Sequence, residues 1–239
     1  MPLTSDHNAY QRHYYRSLDK RTMQRTDSAY VRHKIDWMTE YAGLEPGHHI
    51  LEIGSGLGKF SEPLLRSGHR LTCLDISEDM LADMKRELAD LSFETLLCDV
   101  GDLPEHTDQR FDRVIGFFVL HHVPDLDAAF AAIAKVLEPG GVVAFCEPRA
   151  VNPLYHVQIA LTPGMTWKAE RGIRNMRPRL VEAAMRRNGL VSAHSLSCGL
   201  FPPFLTNTTV GDRVERAVER ARLLHPLHAF SLFRAEKPA

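Results

Sequence analysis

The sequence predicts an α/β fold in which helices cover both faces of a doubly wound, Rossmann-like sheet. Short runs rich in β-branched and aromatic residues alternate with amphipathic runs of helix length through the middle of the chain. A glycine-rich turn follows the first β-rich run, where sheets of this kind bind their ligands. The 239 residues, 44% hydrophobic and 25% charged, also have the composition of a globular protein with a substantial core.

Five strands and the helices between them are predicted in this middle region. Ser77 favours a helix start, because Glu78 and Asp79 follow it in the first turn. Pro63 lies inside the first predicted helix and should kink it, since proline removes a backbone hydrogen bond. Strands are predicted at 49–53, 70–75, 93–98, 112–117 and 141–147, and helices at about 57–67, 77–90 and 125–137.

Two flanking regions complete the predicted organisation. Residues 1–46 are predicted to form an N-terminal helical lid, with one helix at 10–18 and a second that begins near Ser28 and ends at Gly43. Residues 47–239 are predicted to form the core, with an irregular insertion at about 148–176. The last predicted elements are a helix at 178–188, a strand at 190–197, a helix at 212–225 with Val214 on its packed face, and a strand at 226–234.

Charge and cysteine content exclude several functional classes. The formal net charge is −1, so there is no broad basic surface for a nucleic-acid backbone. No apolar stretch approaches transmembrane length and the N-terminus lacks a secretory signal, so we expect a cytoplasmic protein without membrane contact. The cysteines show no Cys-x-x-Cys pair, which favours buried free thiols over disulfides or a metal site; they are Cys73, Cys98, Cys146 and Cys198.

Acidic residues accompany the glycine-rich turn at three strand ends. The turn at 54–58 has the spacing Gly-x-Gly-x-Gly and follows Glu52, so a ligand is expected against its backbone. Asp75 ends the second strand, where a carboxylate can accept hydrogen bonds from ribose hydroxyls. Asp99 ends the third strand and can accept from an adenine amino group, which fits NAD less well. The alternative is purely structural: close strand–helix packing, a helix cap at Asp75 and a turn residue at Asp99.

An ordered set of motifs resembles the class I S-adenosylmethionine (SAM)-dependent methyltransferases across residues 48–147. The motifs are LEIGSGLG (51–58), LDIS (74–77), CDVGDLP (98–104), FDRVIG (111–116) and LEPGG (137–141). The resemblance implies a seven-stranded sheet with an antiparallel last strand, and SAM as the cofactor. It also implies that the glycines contact the methionine part of SAM, Asp75 the ribose and Asp99 the adenine. The candidate cofactor-binding residues are Glu52, Gly54, Ser55, Gly56, Asp75, Ile76, Asp99, Val100, Phe117 and Tyr14.

Three residues are candidate catalytic groups. His121 follows the fourth strand, and histidine is the usual side chain for proton transfer near neutral pH. Glu147 ends the fifth strand and Tyr155 lies in the insertion, so both are candidates for an acceptor site. The alternative for His121 is that it caps or packs against the next helix, and the alternative for Glu147 and Tyr155 is a surface loop with Tyr155 packed beneath it. A basic excess at 168–187 would receive an anionic acceptor, or else forms a solvated face.

Several functions remain open on the sequence. The leading interpretation is O-, N- or C-methylation of a small-molecule acceptor in a biosynthetic reaction, with no nucleic acid, membrane or metal. The alternatives are an enzyme that uses SAM itself as substrate by intramolecular alkyl transfer, a non-catalytic SAM-binding partner subunit, and an NAD-linked oxidoreductase. A fold alone does not choose among them. The sequence indicates neither the acceptor nor the oligomeric state.

Overall fold

The computed structural model describes residues 24–149, 152, 166–167, 169–201, 203–218, 225 and 227–239. The predicted helix at 10–18 lies outside these residues. The helices are α1 (Ala29–Ala42), α2 (Ser61–Arg66), α3 (Glu78–Glu87), α4 (Leu103–His106), α5 (Leu126–Val136), α6 (Pro178–Arg187), α7 (Pro203–Thr206) and α8 (Thr209–Val218). The strands are β1 (His49–Ile53), β2 (Arg70–Asp75), β3 (Glu94–Leu97), β4 (Phe111–Phe117), β5 (Leu137–Pro148), β6 (Val191–Cys198) and β7 (Phe230–Glu236). Short 3₁₀ helices lie at Val100–Asp102, Leu120–His122 and Ala169–Asn175.

The strands form one seven-stranded sheet in the order β3-β2-β1-β4-β5-β7-β6. Strands β1 to β5 pair in parallel, whereas β7 is antiparallel to both of its neighbours. This confirms the predicted fold class, including the antiparallel last strand. The strand order reverses between β1 and β4, and ligands of such sheets bind in the crevice outside the carboxyl ends of the strands at that point.

Two hydrophobic clusters lie on opposite faces of the sheet. One includes Phe130 of α5 and Phe145 of β5, and the other includes Met38 of α1 and Ile50 of β1. Each of these four side chains is almost completely buried. The four cysteines are free and buried, as predicted. Helices therefore cover both faces, and the polar crevice lies at the carboxyl edge of the sheet.

Helix α1 has the boundaries that the sequence predicts. The Ser28 side chain accepts a hydrogen bond from the Val31 N–H at its start, and Gly43 ends it with a φ of +60°. Met38 and Ala42 are fully buried against the sheet. This helix is thus part of the packed core, and the movement of a lid formed by residues 1–46 stays a prediction.

Two sequence interpretations were wrong. Helix α2 begins at Ser61, so Pro63 lies in its first turn, where backbone N–H groups need no intrahelical acceptor and no kink follows. Helix α8 begins at Thr209, and Val214 is 41% exposed while Glu215 is buried. Glu215 accepts hydrogen bonds from the N–H groups of Leu200 and Phe201, which compensates its burial. No helix among the described residues combines the length and the apolar character that crossing a membrane requires.

Candidate functional site

The glycine-rich turn brings the loop after β4 into contact with the end of β1. Gly54 has a φ of +71°, and its N–H donates to the Leu74 carbonyl at 2.7 Å. A Cβ atom at this position would lie 2.4 Å from Cγ2 of Val119. Glycine is therefore required here both by the backbone conformation and by the close approach of Val119.

Asp75 joins the end of β2 to this turn. Its carboxylate accepts hydrogen bonds from the N–H groups of Gly56 and Ser77, each at 2.9 Å. Burial raises the pKa of Asp75, and these backbone donors oppose the rise. Ser77 is itself the N-cap of α3, so Asp75 does not serve as the helix cap. An ionised carboxylate offers about four acceptor positions, which leaves Asp75 capacity for a further donor.

Asp99 occupies the corresponding position after β3. It caps the 3₁₀ helix Val100–Asp102 by accepting from the Gly101 N–H at 2.7 Å, and its side chain is only partly buried. Asp99 is thus a turn residue, as one sequence interpretation held. The same geometry places its carboxylate at the edge of the sheet that Asp75 occupies, because β2 and β3 are parallel neighbours.

Glu52 lies beneath the turn and is almost completely buried. Its carboxyl group accepts a hydrogen bond from the Ser61 hydroxyl at the start of α2. Burial, with a smaller contribution from the charge of Asp75, raises the pKa of Glu52 to about 8. The sequence did not single out Ser61, although a serine nine residues after a buried acid was the available signal. Ser55 and Phe117 are also buried, and the Phe117 ring stacks on that of Phe60 at 4.2 Å.

His121 and Glu147 form a buried pair at the ends of β4 and β5. Oε2 of Glu147 lies 2.6 Å from Nδ1 of His121, and Oε1 accepts from the N–H groups of Val119 at 2.9 Å and Leu120 at 2.7 Å. Both side chains are at most 4% exposed. Glu147 therefore fixes the loop after β4 and the orientation of the imidazole at once. The ring of His122 packs against that of His121 at 3.9 Å.

The loop after β4 also contains a strained residue. Phe118 has a φ of +56°, which non-glycine residues seldom adopt, and its N–H donates to the Cys146 carbonyl at 2.9 Å. Residues in such conformations cluster at functional sites. No signal in the sequence indicated this strain. Of the remaining candidates, Ile76 is partly buried at the end of β2, whereas Tyr14 and Tyr155 lie outside the described residues.

An aromatic cluster adjoins Phe118 and was also missed. The ring of Phe230 lies 5.5 Å from that of Phe118. Nζ of the buried Lys34 lies 3.9 Å from the centroid of Phe230, 4.3 Å from that of Tyr30 and 4.1 Å from that of Trp37. Tyr30 and Trp37 precede and follow Lys34 at helical spacing, so the sequence did carry a signal for part of this cluster. In the described residues, no group of His, Cys, Asp and Glu side chains has the arrangement of a metal site.

Comparisons with known proteins agree on one family. A family model described as a methyltransferase domain matches residues 51–145. The demethylmenaquinone methyltransferase of Tropheryma whipplei (strain Twist) is 31% identical over 121 residues, which is 49% of this chain and 50% of the relative. The ubiquinone biosynthesis O-methyltransferase of Alkalilimnicola ehrlichii is 31% identical over 114 residues, 47% of this chain and 46% of the relative. The chain thus spans about half the length of the curated relatives it matches.

Solved structures share the fold over a longer part of the chain. The phosphoethanolamine N-methyltransferase 2 of Haemonchus contortus, in complex with S-adenosyl-L-methionine, aligns with a TM-score of 0.62 and 17% identity. The alignment covers 87% of this chain and 53% of that one. At this identity the likeness supports the fold alone, and the chemistry has to be inferred from the residues of the crevice.

Proposed function

We propose, on the premise that this chain belongs to the class I SAM-dependent methyltransferase family, that it transfers a methyl group from SAM to a small-molecule acceptor. One observation carries the proposal. Val119 packs against Gly54 on one side, and its N–H donates to Glu147, which in turn holds His121. A histidine–carboxylate pair, which could accept a proton from the acceptor, therefore lies beside the glycine-rich turn.

The residues of the turn fit SAM by the chemistry of their acceptors. Asp75 and Asp99 are carboxylates at neighbouring strand ends, suited to ribose hydroxyls and an adenine amino group respectively. The Gly54 backbone approaches the loop after β4 so closely that a side chain there would fill the cradle. Bound SAM supplies an electrophilic methyl group on a sulfonium. Family relatives named for demethylmenaquinone and ubiquinone biosynthesis fit a small-molecule acceptor.

His121 is proposed as the base for an acceptor hydroxyl or protonated amine. A histidine that donates Nδ1–H to a carboxylate has its other nitrogen, Nε2, set as the proton acceptor. Glu147 holds the imidazole in that tautomer and stabilises the imidazolium that forms. Burial of the pair restricts water around the reacting groups, and fixed geometry lowers the cost of orientation.

Two alternatives share the fold. An enzyme that consumes SAM alone would need no acceptor, and a non-catalytic partner subunit would need no buried proton-accepting pair. The His121–Glu147 pair favours catalysis over the second alternative.

The test is incubation of the protein with methyl-labelled SAM and a metabolite extract, followed by mass spectrometry. We expect a small molecule that carries the label, formed only when both protein and extract are present. Labelled product from SAM alone would favour the self-consuming enzyme. SAM binding in calorimetry without turnover in any extract would favour the partner subunit.

A further inference from the structure

A cavity of about 460 Å³ lies at the carboxyl edge of the sheet, between the end of β5 and the start of α6. This volume lies within the usual range for small-molecule sites. Three of the side chains that line it are arginines. Its lining residues are Arg149, Met176, Arg177, Pro178, Arg179, Leu180 and Ser231.

The register of the sheet places this cavity beside the His121–Glu147 pair. Ser231 of β7 is the direct antiparallel partner of Glu147 in β5. Directly opposite residues project from the same face of a sheet, with Cβ atoms about 4.5–5.5 Å apart. Arg149 lies two residues beyond Glu147, where β5 has just ended. The cavity and the proposed base thus share one wall of the crevice.

The cavity has an excess of positive charge. None of its three arginines forms an ion pair with a carboxylate in the part of the chain that the structure describes. Arg149 donates only to main-chain carbonyls, those of His225 at 2.6 Å and His228 at 3.4 Å. Arg177 and Arg179 are exposed. A guanidinium has five N–H donors in a planar fork, so most of this donor capacity remains for a ligand.

Two further features indicate that the ligand is an anion. Helix α6 begins at the cavity with no side-chain cap and no acidic residue in its first turn, so its positive dipole end is not neutralised locally. Ser231 is 2% exposed and lines the cavity, where its hydroxyl could donate a hydrogen bond to a ligand oxygen.

We propose that this cavity binds a carboxylate or phosphate group of the methyl acceptor and so selects anionic acceptors. The proposal rests on the proposed function, because it makes the cavity part of the acceptor site. Arg177 and Arg179 supply the positive charge for the anion. Arg149 forms the wall of the cavity next to Glu147, and Ser231 supplies a hydroxyl donor. Ser231 in the cavity wall pairs with Glu147, and Glu147 contacts His121, so an acceptor bound in the cavity would extend toward His121.

The first test uses benzoate and inorganic phosphate as probes, with binding to the full-length protein measured by ligand-observed NMR. The double variant R177Q/R179Q should bind the preferred probe at least about tenfold more weakly, because two charge-assisted contacts are lost. Stronger binding of benzoate would assign a carboxylate, and stronger binding of phosphate a phosphate group. The exposed Arg213 of α8 provides the matched control, and R213Q should bind both probes as the wild type does.

Equal probe affinity in the wild type and the double variant would overturn the proposal, as would an equal loss in R213Q. Thermal melting checks that the variants fold. If the double variant does not fold, the single variant R179Q replaces it. A second test compares labelled methyl transfer to an acceptor fraction retained on an anion exchanger. The double variant should show a raised KM for that fraction with unchanged SAM affinity. The probe measurement stands even if no methyl transfer is found, so the two proposals fail separately.

Discussion

The two sides of the crevice are built from different kinds of contact. On the side of β1 to β3, Asp75 and Asp99 are held by backbone N–H groups two residues away, at Ser77 and Gly101. On the side of β4, β5 and β7, Glu147 holds His121 across 26 residues, and Arg149 reaches carbonyls 76 and 79 residues away. Asp75 also accepts from the Gly56 N–H, 19 residues before it. The first side therefore relies mainly on short-range contacts, whereas those of the second side join residues 26 to 79 positions apart.

The largest expected effect comes from a substitution on the side of the crevice formed by β4, β5 and β7. His121→Ala removes the proposed base, and loss of a general base typically costs about 10²–10⁴ in rate. We expect kcat to fall by that factor while SAM affinity, measured by calorimetry, stays unchanged. The neighbouring His122 packs against the same ring, so His122→Ala is the control and should retain a rate within a few-fold of the wild type.

A wild-type rate in His121→Ala would remove the base role and favour an acceptor that needs no deprotonation. Glu147→Gln separates positioning from proton transfer. Its amide oxygen can still accept from Val119 and Leu120, but its NH₂ group cannot accept the hydrogen bond that Nδ1–H of His121 donates. That variant should therefore lower kcat and change its pH profile more than it lowers thermal stability.

The next prediction concerns the contact between Gly54 and Val119, which joins the two sides of the crevice. Gly54→Ala would put a methyl group 2.4 Å from Val119 in a backbone conformation that alanine disfavours, so we expect a loss of about 2–4 kcal/mol in the free energy of unfolding. Gly68 also has a positive φ, but nothing lies within 4 Å of a Cβ there. Gly68→Ala should therefore lose only about 1–2 kcal/mol.

Denaturant unfolding measures both glycine variants. Val119→Ala in the Gly54→Ala background should recover only part of the loss, because it removes Cγ1 and Cγ2 of Val119 but leaves its Cβ 2.7 Å from the new methyl group. Equal losses in the two glycine variants, with no recovery by Val119→Ala, would show that backbone strain alone requires glycine in the turn.

The sequence predicted the side of β1 to β3 well. Strands β1 and β2 and helix α1 have the predicted boundaries, and the acids at the strand ends lie where the motifs put them. It failed where tertiary contacts override a local pattern. The predicted packed face of α8 is wrong because the buried Glu215 is satisfied by Leu200 and Phe201, which no helical periodicity reveals.

The same limit explains the site. His121 and Glu147 were separate candidates in the sequence, and only the parallel pairing of β4 with β5 makes them one unit. The arginine cavity needs β7 to bring Ser231 beside Glu147, and strand order cannot be read from spacing. The basic excess at 168–187 was visible, but the sequence did not distinguish Arg177 and Arg179, which line the cavity, from its other basic residues.

A smaller effect is expected on SAM affinity. Asp75→Asn exchanges an acceptor oxygen for a donor that would oppose the N–H group of Gly56 or Ser77, and it removes the charge that would receive a ribose hydroxyl. We expect SAM binding to weaken by roughly 1–3 kcal/mol in calorimetry. Glu78→Gln makes the same charge change at an exposed position of α3 and should leave the affinity unchanged. Equal affinities in the two variants would exclude Asp75 from the SAM site.

The last prediction concerns Glu52, whose pKa is raised to about 8 by burial next to the glycine-rich turn. Below pH 4.5 the folded and unfolded chains both carry this proton, so burial of the neutral acid costs nothing extra. Between pH 4.5 and 8 the unfolded chain releases the proton while the folded chain retains it, so the free energy of unfolding falls as pH rises. A single such proton lowers it by at most about 1.4 kcal/mol per pH unit.

Glu52→Gln keeps a carbonyl oxygen for the Ser61 hydroxyl and removes the titrating proton. Urea unfolding of both proteins at pH 6, 7 and 8 should therefore give a shallower decline for the variant, by up to about 1.4 kcal/mol per pH unit, with all other titrating groups shared. Parallel lines would mean that Glu52 ionises in the folded protein as it does in the unfolded one. The side of β1 to β3 would then contain a charged carboxylate beneath the turn, and the shared pH dependence would arise from other titrating groups.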